Sequence, residues 1–103
     1  MRRWITMKHV INFDAYTSYN FNEKDDLMNY YYIKHECDYM MEVCRVRGYI
    51  YLNQIYEHLG IKWNPSNENI LLRYSGNKDW KFNFVIEKMV SASGYTVTID
   101  IHE

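Results

Sequence analysis

A helical pattern that runs from about residue 23 to residue 46 is the longest regular feature of this chain. Asn22 stands before it as a candidate capping residue, and acidic residues follow in the expected first turn. Arg45 and Arg47 fall in the expected last turn, and Gly48 follows them as a left-handed stop. We therefore expect the rest of the chain to be organised around one long helix.

Length and composition predict a single domain over residues 1–103. The chain is 48% hydrophobic and 24% charged, which is typical of a globular protein, and 103 residues suffice for a core. A formal net charge of −1 argues against affinity that comes mainly from phosphate contacts. Residues 1–6 read as a leader, because Met7 could equally be the native start. With no secretory signal and no membrane-spanning apolar run, we expect a cytoplasmic protein with reduced thiols.

The long helix carries two apolar stripes when its residues are placed at 100° intervals. The first is the expected core face and contains Asp26, Tyr30, Ile33, Cys37, Met40, Met41 and Cys44. The second stripe contains Met28, Tyr32, Tyr39, Val43 and Val46. Either the amino-terminal strand or the hairpin covers this second stripe, or it is an interface with a partner. Cys37 and Cys44 lie roughly 10 Å apart on such a helix, so they cannot form a disulfide with each other.

The remaining segments predict short elements around this helix. Alternation predicts a strand over residues 7–13 and a carboxy-terminal hairpin from residues 80–87 and 95–102. Residues 14–20 and 61–69 are polar and read as loops, while residues 70–72 fit a strand or a helical turn. A short strand over residues 49–51 precedes a short helix that Asn53 caps and Gly60 ends. The expected fold is α+β, with one long helix packed on a small antiparallel sheet with a carboxy-terminal hairpin, plus one short helix.

No residue set in the sequence has the spacing of a catalytic or metal site. The histidines, at positions 9, 35, 58 and 102, are scattered, and His35 and Cys37 would point to different faces of the helix. None of the four glycines forms a phosphate-binding loop. We expect no enzymatic activity, no cofactor and no metal.

Three features resemble small accessory proteins of phages and prophages. They are the segment 48–61, which passes from Gly48 through a short strand and helix to Gly60-Ile61, the pair Gly76 and Trp80, and the aromatic strand 94–99. The resemblance covers residues 21–101. In that class the glycine and the tryptophan are often adjacent, whereas three residues separate them here. Most of the class has no known activity, and some proteins of similar origin inhibit host defence, including anti-CRISPR proteins. The resemblance implies such an inhibitory role.

The favoured function is therefore a non-catalytic phage or mobile-element protein that binds and inhibits a host protein, such as a CRISPR effector nuclease. Acidic side chains on a rigid helix could occupy a basic nucleic-acid channel, and tyrosines could supply buried anchors. The second stripe could also mediate a homodimer. The candidate partner-binding residues are Glu23, Asp25, Asp26, Tyr32, Glu36 and Tyr39.

A winged-helix-like DNA-binding regulator is the alternative. Residues 51–61 resemble the first half of a helix-turn-helix, Ser66 could cap a second helix that extends to Arg73, and the final hairpin would be the wing. The candidate nucleic-acid-binding residues in this case are Lys62, Arg73, Lys78 and Lys81.

Overall fold

A computed structural model describes residues 6–73 and 82–102 of the chain. Their elements confirm the expected α+β fold. In chain order these are β1 (Thr6–Phe13), α1 (Asp26–Arg47), β2 (Tyr49–Tyr51), α2 (Leu52–His58), a single 3-10 turn (Pro65–Asn67), β3 (Leu71–Arg73), β4 (Phe82–Lys88) and β5 (Tyr95–His102). The proposed leader up to residue 5, Gly76, Lys78, Trp80 and Lys81 lie outside the described residues.

The larger sheet has the strand order β1-β5-β4, and both pairings are antiparallel. The β4–β5 pairing is the expected hairpin, and β1 adds to its other side, with Ile11 opposite Val97. One face of the sheet is apolar because side chains alternate along each strand. Ile11, Val97, Ile99 and Phe82 are buried on it, whereas Val10 faces solvent.

α1 packs with the stripe that the helical periodicity predicts. Ile33, Cys37, Met40 and Cys44 are buried and belong to one core with the inner face of the sheet. Among the other residues of that stripe, Met41 is half-buried and Tyr30 lies at the exposed edge. Both cysteines are free thiols, as predicted.

The start of α1 differs from the sequence expectation. The helix begins at Asp26, and its capping residue is Asp25, whose side chain accepts a hydrogen bond from the Met28 amide. Asn22 lies in a preceding turn that the buried side chain of Asn29 holds. The main-chain N–H of Asn22 donates to Asn29 Oδ1 at 2.7 Å, and Asn29 Nδ2 donates to the main-chain carbonyl of Asn22 at 2.8 Å. These two hydrogen bonds fix the main chain at residue 22, before the helix begins. The helix ends as expected, with Gly48 at φ 89°.

A second, two-stranded sheet pairs β2 with β3, and Ile50 lies opposite Leu72 in the core. α2 follows β2 directly and buries Leu52 and Ile55, and Leu59, just after its end, is also buried. Asn53 does not cap it, because its side-chain amide bonds both the N–H and the carbonyl of Asn64 and so holds the following loop.

The second helix that the winged-helix interpretation requires does not form. Residues 65–67 make one 3-10 turn, Asn69 adopts φ 70°, and β3 follows. A left-handed residue cannot continue a right-handed helix. The Leu52 amide also donates to the carbonyl of Ile70, which directs this segment into pairing with β2. No recognition helix therefore exists between Ser66 and Arg73.

Candidate protein-binding surface

The side of α1 opposite its buried stripe forms an exposed, partly apolar row. We call it the outer face of α1 and define it as Met28, Tyr31, His35, Tyr39 and Val46. Met28 is 55% exposed, Tyr31 57%, Tyr39 51% and Val46 70%. Successive members lie three, four or seven residues apart, so they follow one side of the helix. This row places two aromatic rings and two aliphatic side chains in solvent on a rigid element.

Tyr32, one of the expected partner contacts, is turned toward the protein instead. Its ring centroid lies 5.7 Å from that of Phe13, at the end of β1, and its hydroxyl donates to the main-chain carbonyl of His58. The same hydroxyl accepts a hydrogen bond from Asn20 Nδ2 at 2.8 Å. Burial raises the pKa of the Tyr32 phenol. The second predicted stripe therefore divides, with Tyr32 and Val43 half-buried and the other members exposed.

Tyr31 occupies the exposed position that helical spacing predicted for Tyr32. Its ring packs edge-on against Tyr30, with centroids 5.8 Å apart, and Tyr30 in turn contacts Tyr95 of β5, at 6.2 Å. The signal for Tyr31 was its spacing of three residues from Met28 and four from His35, which are also exposed. This signal was missed because residues 30–32 are all tyrosine, so the residue type does not show which of the three rings is exposed.

The expected acidic residues separate into two pairs. Glu23 and Asp25 are exposed just before α1. Asp26 accepts hydrogen bonds from Lys88 Nζ at 2.5 Å and from the Tyr95 hydroxyl at 3.0 Å, and the Lys88 bond, ahead of the others, holds the Asp26 pKa below its usual value. Glu36 lies 3.0 Å from His58 Nδ1 on α2. Asp26 and Glu36 thus bond side chains of other elements, whereas Glu23 and Asp25 are exposed, and the Asp25 carboxylate bonds only the Met28 amide of its own helix among the described residues.

Tyr39 is oriented by the same contact between α1 and α2. Its ring centroid lies 5.3 Å from that of His58, whose Nδ1 faces Glu36. Half of the tyrosine side chain remains exposed beside this pair. Such an arrangement restricts the ring before any partner arrives, so less rotamer entropy is lost on binding.

The residues predicted for nucleic-acid binding do not form one group in the described structure. Lys62 is exposed in the loop after α2, and Arg73 ends β3 opposite Tyr49. Lys78 and Lys81 lie outside the described residues. Of these four candidates, Arg73 is the one that lies on a described strand, and its partner across the strand pair is the exposed Tyr49.

Within residues 6–73 and 82–102, no three histidine, cysteine or acidic side chains are close enough together to hold a metal ion. No helix in those ranges has the length and apolar character needed to cross a membrane. Comparisons with protein-family models, with curated proteins and with solved structures give no match.

Proposed function

We propose that this chain is a non-catalytic protein that binds a host protein through the outer face of α1. The observation that carries the proposal is the exposure of Met28, Tyr31, Tyr39 and Val46 along one side of a 22-residue helix. Tyrosine combines a large contact area with few rotatable bonds, which is why it is enriched at protein interfaces. An exposed row of this kind costs solubility unless a partner covers it.

The helix presents this row rigidly. Its opposite side is anchored in the core by Ile33, Cys37, Met40 and Cys44. Two exposed ion pairs, Lys34 with Asp38 and Arg45 with Glu42, are local to the helix, and Glu42 lies in the row itself, between Tyr39 and Val46. Such pairs contribute little to stability, but they maintain solubility around an apolar contact surface.

Charge at the start of α1 favours a partner with a basic surface. Glu23 and Asp25 are exposed there, next to the exposed side chains of Leu27 and Met28. Complementary charge at the rim of an interface speeds association and selects the partner. Nucleic-acid channels of nucleases carry such basic surfaces, and the resemblance to phage accessory proteins implies a defence nuclease as the target. Inhibition would follow from occlusion of the channel.

The test uses the tagged chain in a nuclease-treated lysate of a defence-bearing bacterium, followed by affinity measurements with the captured protein. Tyr31→Ala combined with Tyr39→Ala should weaken binding at least about thirtyfold, since aromatic anchors contribute about 2 kcal/mol or more. The matched control is Tyr16→Ala with Tyr19→Ala, which removes two exposed tyrosines from the loop after β1. Equal affinity of both double variants would refute the proposal.

A second copy of the chain is the other possible occupant of this face. Light scattering at increasing protein concentration distinguishes the two cases. A monomer throughout supports a heterologous partner. A dimer that the Tyr31 and Tyr39 double variant dissociates, while the control variant leaves it intact, would assign the outer face of α1 to self-association.

A further inference from the structure

Exposed side chains of the two-stranded sheet form, with the last residue of α1, a second group that we call the arginine–tyrosine face. It consists of Arg47, Tyr49, Tyr51 and Arg73. The Arg47 guanidinium carbon lies 4.9 Å from the Tyr49 ring centroid, and the Tyr49 and Tyr51 rings pack edge-on at 5.6 Å. The strand register places Arg73 directly opposite Tyr49, so the two side chains project from the same side of the sheet.

Positive charge on this face is not neutralised within the described structure. Neither Arg47 nor Arg73 forms an ion pair with a described residue. The face borders a cavity of about 370 Å³, and none of the described residues that line it is acidic. Two guanidinium groups beside exposed aromatic rings provide both a phosphate contact and a stacking surface.

Tyr51 also borders a second cavity, of about 290 Å³, which has a different character. Trp63 lines it with an exposed indole, together with the side chains of Gln54 and Asn67. The side-chain nitrogen of Asn67 is buried and has no hydrogen-bond partner among the described residues. Glu57 and Glu68 also line this cavity, so phosphate is disfavoured there. Amide and carboxylate groups are instead the side chains that bond the edges of nucleobases.

We infer that these adjoining cavities bind one nucleotide unit of a single-stranded nucleic acid. The phosphate contacts Arg47 and Arg73, and the base stacks on Trp63 in the second cavity, where its edge meets the amide groups. Polarity supports this orientation, because Tyr51 lines both a cavity with two arginines and a cavity with two glutamates. The inference is separate from the proposed function, since it involves no residue of the outer face of α1.

The test measures fluorescence anisotropy of labelled single-stranded DNA and RNA oligonucleotides of roughly ten nucleotides. We expect binding that weakens as salt rises, with a slope of log K against log salt of about −0.7, as one neutralised phosphate gives for a single strand. Arg73→Ala should weaken binding about tenfold and reduce this slope by about half. Trp63→Ala should weaken binding about tenfold and leave the slope unchanged, because stacking releases no counterions.

Controls separate the site from general charge and folding effects. Lys8→Ala removes one positive charge from β1 and should leave the affinity nearly unchanged, and thermal melting shows that each variant is folded. Competition by free AMP identifies the form of the ligand: weaker competition than by the unlabelled strand supports a nucleic acid, and equal competition assigns the site to a free nucleotide. No binding of strand or AMP at low salt, or equal affinity in Arg73→Ala, Trp63→Ala and Lys8→Ala, would overturn the inference.

Discussion

The hydroxyl of Tyr32 on α1 donates a hydrogen bond to the main-chain carbonyl of His58, the last residue of α2. Carbonyls at the end of a helix lack partners within the helix, so this side chain from elsewhere in the chain satisfies one of them. Asn20 donates to the same hydroxyl and ties the loop after β1 to both helices. One phenol thus joins three segments that are distant in sequence.

Removal of this hydroxyl should destabilise the fold. We expect Tyr32→Phe to lower the free energy of unfolding by about 1 kcal/mol, because the ring still packs on Phe13 but the carbonyl and the Asn20 amide lose their partner. Urea denaturation measures the change. Tyr31→Phe, at an exposed ring one residue earlier, is the control and should be neutral. Equal midpoints for the two variants would contradict the role given to Tyr32.

Gly60, after α2, is required both for its backbone conformation and for space. Its φ is 70°, and a Cβ there would lie 2.6 Å from Asn20 Nδ2 and 2.9 Å from Ser18 Oγ. Gly48 has φ 89°, and a Cβ at that position would have no neighbouring atom within 4 Å, which makes it a matched control. Gly48→Ala should cost about 1 kcal/mol from backbone strain alone. Gly60→Ala should cost more, since Asn20 and Ser18 must also move, and thermal melting should show the larger decrease. Equal decreases in melting temperature would mean that Asn20 and Ser18 move away from the new methyl group at no measurable cost.

Local sequence patterns predicted much of this fold, and the elements that they predicted wrongly have one physical cause. Periodicity identified α1, β1 and the hairpin, and glycine chemistry identified both helix stops at Gly48 and Gly60. Contacts between distant segments decided the rest. Asn29 moved the start of α1 by bonding residue 22, and pairing of β3 with β2 replaced the helix expected up to Arg73. A single sequence does not show which distant partner a side chain will meet.

The sequence predicted only part of the candidate surface, and the missing part has the same cause. Helical spacing led to Tyr39, which is exposed, but it did not distinguish Tyr31 from Tyr32. The orientation of α1 on the sheet decides that choice, since a rotation of one residue position is about 100°. Phe13 and His58 are the contacts that turn Tyr32 inward.

Cys37 should be an unreactive thiol in the folded protein. It is buried in the core face of α1, and burial raises its pKa to about 12, so almost no reactive thiolate exists at neutral pH. We expect a thiol reagent such as dithionitrobenzoate to modify it only at the rate of unfolding. Val46→Cys, on the exposed outer face, supplies the control thiol and should react at once. Modification of Cys37 in the native chain as fast as the introduced cysteine would show that this part of the core opens readily.

His9 on β1 should make the stability of the fold depend on pH below neutrality. Its Nε2 lies 2.9 Å from the hydroxyl of Tyr56 on α2, and burial lowers the pKa of the imidazole below its ordinary 6.5. The unfolded chain therefore binds a proton more readily than the folded one. The stabilisation from neutral His9 is complete above about pH 6.5 and is lost as the pH falls through the lower folded pKa.

A comparison of His9→Gln with the unchanged chain isolates this effect. Urea denaturation at about pH 7.5 and about pH 5.5 gives the free energy of unfolding of both proteins, above the range in which most carboxylates titrate. The other histidines and the acidic residues are common to both proteins, so their contributions cancel in the difference. Glutamine can still meet the Tyr56 hydroxyl but takes up no proton, so the variant should lose less stability on acidification. If both proteins lose the same amount, the proton that destabilises the fold is taken up elsewhere than at the contact of β1 with α2.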